Sequence, residues 1–168
     1  MAQSSNSNSL LDTSALAGLA NARVAIVSTE WNEKIIGELV AGCNKVLAQH
    51  NATVTHHITV PGAFELPFTC KHVFEASMSD ETKMPEAIIA FGTVIRGGTP
   101  HFDYVCKAVT EGITRLNLML PIPVIFGVLT LNNEQEAWER LGGVHGHKGE
   151  EAAIAALKMI KNSRTLLG

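Results

Sequence analysis

The segment of the chain with the most chemistry in the fewest residues runs from Arg96 to His101 and reads RGGTPH. Its two glycines let the backbone approach a ligand closely, and Thr99 as N-cap followed by Pro100 is a common helix start. Amides at a helix start bind anions, and histidine can give or take a proton near neutral pH. The segment therefore predicts an anion site beside an acid–base group, while a plain helix start with a structural histidine fits the same residues.

Two other segments carry residues of the kind that bind small molecules. Trp31, in STEWNEK, could stack on a heterocycle or simply cover a helix end. Glu65, in PGAFELP, could accept hydrogen bonds from hydroxyl groups or serve only as a carboxylate at the positive end of a helix dipole. The residues alone leave both pairs of alternatives open.

A glycine-rich segment near the carboxyl end of the chain, ERLGGVHGHKGEEA, carries two cations. Arg140 could hold a phosphate through forked hydrogen bonds and Lys148 could act as a point charge, or both could be solvated cations at helix ends. The histidine pairs in THHIT and VHGHKG have no cysteine or carboxylate at recognisable ligand spacing. We therefore predict no metal site.

Short β-branched runs alternate with segments of helical spacing, and these elements must position the residues above. The predicted strands are Arg23–Ser28, Thr53–Val60, Ala87–Val94 and Pro123–Thr130, and the predicted helices are Asn32–Gln49, Phe64–Met78, His101–Leu120, Asn133–Leu141 and Glu150–Leu166. The third and fourth strands are almost continuously apolar, as parallel strands covered on both faces are. The order predicts a single-domain, three-layer α/β/α fold with a central four-stranded parallel sheet, whose ligands bind beyond the carboxyl ends of the strands.

Length and composition limit the classes of function. A chain of 168 residues suits one domain, and its net charge of −3 excludes the overall basic field that binds nucleic acid or an anionic membrane. Charged residues make up only 17%, which predicts extra buried surface in an oligomer.

The first 22 residues include the polar run SSNSNS at 4–9, contain no basic residue and lack an apolar run like that of a signal peptide. We predict a flexible segment at 1–22, a folded domain at 23–168 and a cytoplasmic location. The three cysteines cannot all pair within one chain, so they are predicted to be reduced and buried.

Taken in order, WN, VPGAFELP, GTVIRGGTPHFDYV, PVIFGVLT and ER followed by a glycine-rich HKG turn resemble the 6,7-dimethyl-8-ribityllumazine synthase family, from about Arg23 to Leu166. The resemblance implies a flavodoxin-like fold. It also implies condensation of 5-amino-6-(D-ribitylamino)uracil with 3,4-dihydroxy-2-butanone 4-phosphate, giving 6,7-dimethyl-8-ribityllumazine, phosphate and water in the penultimate step of riboflavin biosynthesis. It implies neither a cofactor nor a metal.

The resemblance assigns roles to individual residues. His101 would transfer protons, and Trp31 would stack on the pyrimidine. The other implied binding residues are Ala63, Phe64 and Glu65 for the ribityl chain, Thr93, Val94 and Ile95 for the pyrimidine edge, Gly98, Thr99 and Arg140 for the phosphate, Lys148 and Glu151 beside it, and Phe126. Three of these residues, Phe126, Arg140 and Lys148, would reach the site from a neighbouring subunit of a homopentamer.

The resemblance further implies that pentamers can assemble into an icosahedral 60-mer and associate with riboflavin synthase, and the short turn from Arg140 to Gly149 resembles that of shell-forming members. Two departures stand out: His147 replaces the usual asparagine, and the segment from Ala76 to Pro85 is longer.

A non-catalytic flavin- or lumazine-binding protein on the same scaffold is the alternative, although it would not need His101 or Arg140. A flavodoxin-like electron carrier would need a Ser/Thr-rich phosphate loop, which STEWNEK is not.

Overall fold

A computed structural model describes residues 12–167 of the chain. Strands and helices alternate along it, with 3-10 turns at Ser14–Leu16 and Ala63–Glu65. The strands are β1 Arg23–Thr29, β2 Thr53–Val60, β3 Ala87–Ile95, β4 Val124–Leu131, β5 Leu141–Gly143 and β6 Gly146–His147. The helices are α1 Glu33–Gln49, α2 Leu66–Ser77, α3 His101–Met119, α4 Gln135–Trp138 and α5 Lys148–Leu167.

The first four strands form one parallel sheet in the order β2-β1-β3-β4. Ile26 and Ile89 pack on one face with Leu39 of α1 and Leu157 of α5, all fully buried. The opposite face packs against α2 and α3. The predicted three-layer α/β/α fold is confirmed, and the strand order is the flavodoxin-like one.

The two outer strands are more exposed than the two inner ones. Strand β3 is buried over its first seven residues, whereas β4 leaves Phe126 and Thr130 exposed because nothing in the described chain pairs with its outer edge. Strand β2, at the other edge, is buried only at Val60. The apolar sequences of β3 and β4 predicted burial on both faces. That prediction is correct for the first seven residues of β3 and wrong for β4.

The predicted helix Asn133–Leu141 is wrong at both ends, because only Gln135–Trp138 is helical. Helix α4 ends at Trp138, and the chain then forms an antiparallel hairpin from β5 and β6. Gly142 has a φ of +102°, and a Cβ on Gly143 would lie only 2.8 Å from the Cα of Glu139. Glycine tolerates the left-handed backbone at 142 and the close approach at 143, so the chain turns out of the helix here. Helix α5 begins at Lys148, two residues before the predicted start.

Helices α1 and α5 approach each other closely through a glycine. A Cβ added to Gly149 would lie 2.1 Å from the carbonyl oxygen of Leu39, so these two backbones are in direct contact. Lys45 of α1 also pairs with Glu150 of α5 at 2.8 Å. The start of α5 is therefore placed by α1.

Two cysteines, Cys43 and Cys70, are free and buried, and burial raises the pKa of each thiol to about 12. Cys106 is free but only half-buried, which differs from the prediction. None of the helices within residues 12–167 is long and apolar enough to cross a bilayer.

Part of the predicted N-terminal segment 1–22 packs against the folded domain. Leu16 is 2% exposed in the core beside α5, and Lys161 of α5 donates hydrogen bonds to the carbonyl groups of Ala15 and Ala17. Residues 1–11 of that segment lie outside the described residues. The division at residue 23 stays a prediction.

A charged cluster closes the amino edge of the sheet. The guanidinium of Arg164 donates to both carboxylate oxygens of Glu86, at 2.7 and 2.8 Å, and the backbone amide of Arg23 donates to the same carboxylate at 3.0 Å. Burial raises the pKa of Glu86, but the hydrogen bonds from Arg164 and Arg23 outweigh it and hold the pKa below its ordinary 4.5.

We expect Glu86→Gln to lower the free energy of unfolding at pH 7 by about 1 to 2 kcal/mol, since a partly exposed charged hydrogen-bonded pair contributes about that much. A carboxyl whose folded pKa is lowered stabilises the fold above its unfolded pKa and stops doing so as the pH falls through the folded value. The difference in the free energy of unfolding between Glu86→Gln and the native chain should therefore shrink on acidification. Urea unfolding at pH 7 and pH 3.5, with exposed Glu81→Gln as control, measures it; a difference independent of pH would contradict the assignment.

Candidate functional site

The segments that follow the parallel strands are tied together at the carboxyl edge of the sheet. After β1, the amide of Glu30 donates to the carbonyl of Val60 at 2.8 Å. After β3, the amide of Arg96 donates to the carbonyl of Leu131 at 2.8 Å. These bonds bring the ends of four strands into one surface, where the sequence predicted the site.

Asn32, which the sequence analysis did not single out, links two of these segments. It has a φ of +61°, a left-handed conformation that asparagine tolerates better than most residues, and its Nδ2 donates to the carbonyl of Thr93 at 3.2 Å. Its position directly after an aromatic residue at a strand end was the available signal. The bond fixes the start of α1 against the end of β3.

Trp31 is open to solvent on this surface. Its side chain is 72% exposed, and a Cβ added to Gly62 would lie 3.7 Å from its Cδ1. Phe64, in the turn that follows Gly62, is 63% exposed. An indole that is mostly exposed does not act as a buried cover for a helix end, so its ring is free to stack on a ligand.

Glu65 takes part in the turn that precedes α2. One of its oxygens, Oε2, accepts the backbone amide of Gly62 at 2.9 Å, which closes the 3-10 turn. Ala63 in the same turn is buried. The structural role that the sequence left open is therefore present, and Oε1 has no hydrogen bond within residues 12–167, so it can still accept one from a ligand.

Thr93 carries an unsatisfied polar atom at the same edge. Its side chain is 5% exposed, and its Oγ1 is buried with no hydrogen-bond partner in the described chain. A buried hydroxyl without a partner is rare, because leaving it unpaired costs about 1 to 3 kcal/mol. Val94 and Ile95 continue the strand and are half-buried. This end of β3 is therefore equipped to receive a polar ligand.

The glycine turn after β3 is open, and its histidine is exposed. A Cβ added to Gly97 or Gly98 would have nothing within 4 Å, and the side chain of His101, the first residue of α3, has no hydrogen-bond partner in the described part of the chain. The predicted N-cap role of Thr99 is wrong: Pro100 holds that position without a side-chain cap, and its carbonyl accepts the amide of Asp103 at 3.0 Å.

Arg96 folds back over the first turn of α3. Its guanidinium lies 3.1 Å from the carboxylate of Asp103 and 4.1 Å above the ring of Phe102. These contacts were not predicted, since only the close return of the glycine turn brings the residues together. They hold the turn in front of His101.

A second group of predicted residues lies on the hairpin and the start of α5. Arg140 donates from Nη1 to the carbonyl of Glu136 at 2.8 Å, while its own carbonyl accepts the amide of Lys148 at 2.9 Å. The Lys148 ammonium contacts both carboxylate oxygens of Glu151, at 2.7 and 2.8 Å. These bonds hold the charged residues Arg140, Lys148 and Glu151 close together at the start of α5.

The two groups of residues are not joined within this chain. Phe126 lies in the middle of β4, in register with Ala90 of β3, rather than at the carboxyl edge. Over residues 12–167, no hydrogen bond or ion pair connects Phe126, Arg140, Lys148 or Glu151 to the group around His101. The same residues hold no group of three side chains suited to a metal ion.

Comparison with known proteins gives a consistent result. A family model described as 6,7-dimethyl-8-ribityllumazine synthase matches residues 21–164. Proteins named 6,7-dimethyl-8-ribityllumazine synthase are similar to the chain: that of Parabacteroides distasonis is 46% identical over 83% of this chain and 85% of its own length. That of Bacteroides fragilis is 46% identical over 82% and 94%, and that of Christiangramia forsetii is 43% identical over 95% and 93%.

Proposed function

The chain belongs to the 6,7-dimethyl-8-ribityllumazine synthase family, a family of transferases in riboflavin biosynthesis, and from this membership we propose the reaction that it catalyses. It condenses 5-amino-6-(D-ribitylamino)uracil with 3,4-dihydroxy-2-butanone 4-phosphate to give 6,7-dimethyl-8-ribityllumazine, phosphate and water. The observation that carries the proposal is the unpartnered Thr93 hydroxyl at the edge where the exposed Trp31 and His101 are presented.

The uracil substrate suits the first group of residues. Its ring stacks on Trp31, and its polar edge meets Thr93 and the backbone of Val94 and Ile95. The ribityl hydroxyls meet the turn at residues 63–65, where Glu65 Oε1 accepts a hydrogen bond. Stacking supplies apolar contact and the polar edge fixes orientation.

The four-carbon substrate suits the glycine turn. Its phosphate binds at Gly98 and Thr99 before α3, with Arg140, Lys148 and Glu151 on the other side. The uracil's 5-amino group attacks the ketone and forms a Schiff base with loss of water. Phosphate then leaves, the ribitylamino nitrogen closes the ring and a second water is lost. His101 moves protons in these steps, while much of the acceleration comes from holding two substrates in register.

Mixing the purified protein with both substrates tests the reaction. Appearance of the lumazine chromophore, absent when either substrate or the protein is left out, is the expected result. Tight binding of the lumazine without its formation would instead establish the alternative, a non-catalytic lumazine-binding protein.

We also propose that the site is completed between subunits of a homopentamer. The second group of residues, Arg140, Lys148 and Glu151, lies apart from His101 in the single chain. Apolar side chains are exposed on the described surface, among them Phe68 at 73%, Tyr104 at 71% and Val144 at 81%. A surface this apolar favours burial against another subunit.

Assembly of pentamers into an icosahedral shell, association with riboflavin synthase and a cytoplasmic location stay predictions. For the shell, light scattering of the purified protein should show a species much larger than a pentamer. A pentamer-sized species at every phosphate concentration and pH would contradict it, and a monomer would contradict the shared site as well.

We expect Arg140→Ala to raise the KM for the butanone phosphate selectively. One fork of charge-assisted hydrogen bonds contributes roughly 1.5 to 3 kcal/mol, which is about 10- to 150-fold in affinity. Steady-state kinetics with each substrate varied in turn measures the effect, and Arg115→Ala, an exposed arginine on α3, is the matched control. Equal weakening of both substrates would count against a phosphate role.

A further inference from the structure

His147 lies between the hairpin and α5, against α1. A Cβ added to Gly42 of α1 would lie 2.1 Å from the ring atom Cε1 of His147, so the imidazole occupies the space that this glycine leaves. On its other side, His147 Nδ1 accepts the backbone amide of Glu150 at 3.4 Å. The ring is therefore packed on one helix and bonded to the first turn of another.

The bond to Glu150 has the geometry of a helix N-cap. His147 is the residue directly before α5, and Glu150 is the third residue of that helix. A side-chain acceptor at this place satisfies an amide that the helix leaves unpaired, and asparagine is among the preferred residues there. Histidine with a free Nδ1 lone pair does the same in this chain.

We propose that His147 is a positioning residue, which in its neutral form caps α5 and so holds the Lys148–Glu151 pair where the substrate phosphate binds. The inference rests on the proposed function. Lys148 and Glu151 both belong to the first turn of α5, and their side chains are only 18% and 12% exposed. The amide of Lys148 also bonds to the carbonyl of Arg140, so fraying of this turn would move all three residues.

The cap depends on the protonation of the imidazole. A protonated ring has two donors and no acceptor, so it cannot receive the amide of Glu150, and it adds a positive charge at the positive end of the helix dipole. The elements next to it carry charged and titratable groups: Glu38, Cys43 and Lys45 near Gly42 on α1, Glu139 and Arg140 after α4, His145 of the hairpin, and Lys148, Glu150 and Glu151 of α5. The cap is therefore available to the neutral ring and is lost in the protonated ring.

Two variants separate the cap from the packing. His147→Asn places Oδ1 at the position of Nδ1 and keeps an acceptor that does not titrate. His147→Gln carries its amide one bond further out and cannot reach the amide of Glu150. We expect the KM for the butanone phosphate to be near native in His147→Asn at pH 8 and about fivefold higher in His147→Gln, with little change in kcat or in the KM for the uracil substrate.

As acidification protonates the imidazole, the KM of the native chain should rise several-fold more than that of His147→Asn, whose profile corrects for titration of the substrate phosphate itself. Identical pH profiles for the two proteins, or native behaviour of His147→Gln, would overturn the proposal. Binding of inorganic phosphate, measured by calorimetry on the same three proteins, separates the two hypotheses. Lumazine formation with equal phosphate affinities refutes the cap role alone, whereas the expected order of affinities without lumazine formation refutes the proposed function alone.

Discussion

His101→Ala is expected to slow lumazine formation roughly a hundredfold at saturating concentrations of both substrates, without abolishing it. General acid–base catalysis by one well-placed group contributes about 10²- to 10⁴-fold, and the lower part of that range applies because proximity of the two substrates supplies much of the acceleration. The His101 side chain is exposed and makes no hydrogen bond in the described chain, so its loss should leave the fold intact.

Single-turnover kinetics on His101→Ala, monitored by the lumazine absorbance, measures the chemical step directly. His72→Ala is the matched control, since His72 is an exposed histidine on α2 that contacts the ring of Phe68. A native rate for His101→Ala at saturation would remove the proton-transfer role from this residue.

Gly149→Ala should lower the free energy of unfolding by about 3 kcal/mol, at the upper end of what overpacking costs. The added methyl would lie 2.1 Å from the carbonyl oxygen of Leu39 and 2.8 Å from its carbonyl carbon, and backbone atoms cannot rotate away as a side chain can. Helices α1 and α5 must then separate, which also disturbs the start of α5 where Lys148 and Glu151 lie.

Gly37→Ala is the control for this prediction, because Gly37 lies on α1 with nothing within 4 Å of an added Cβ. Alanine there should raise the free energy of unfolding by about 0.5 to 1 kcal/mol. Urea unfolding of both variants at one protein concentration gives the comparison. If Gly149→Ala unfolded at the native denaturant concentration, the close contact between the helices would not exist.

The inner layers of the fold could be predicted from the sequence because burial on both faces leaves a strong local signal. The inner strands β1 and β3 begin at Arg23 and Ala87, as predicted, and each ends one residue later than predicted. The hairpin after α4 could not be predicted in the same way. It depends on the close approach of Gly143 to Glu139, which is a contact in space that no local spacing reveals.

The site was partly predictable for a related reason. The place of the site follows from strand direction alone, and the glycine turn before His101 indicates an open, ligand-accessible backbone. The capping bond of Glu65 and the link between Asn32 and Thr93 were not predicted, since each depends on which of several polar partners the folded loop brings within reach. The structure thus adds contacts of Glu65 and Asn32 that the residue types alone do not reveal.

The anchoring of residues 12–22 along α5 has a practical consequence for attaching other molecules to this protein. Lys161 and Arg164 bind the carbonyl groups of residues 15, 17, 20 and 21 beside the amino ends of β1 and β3. That edge is opposite the one where Trp31 and His101 are presented. A fluorophore or tether joined at residue 12 or at residue 167 would therefore leave from the far side of the sheet, and the edge that presents Trp31 and His101 would remain uncovered.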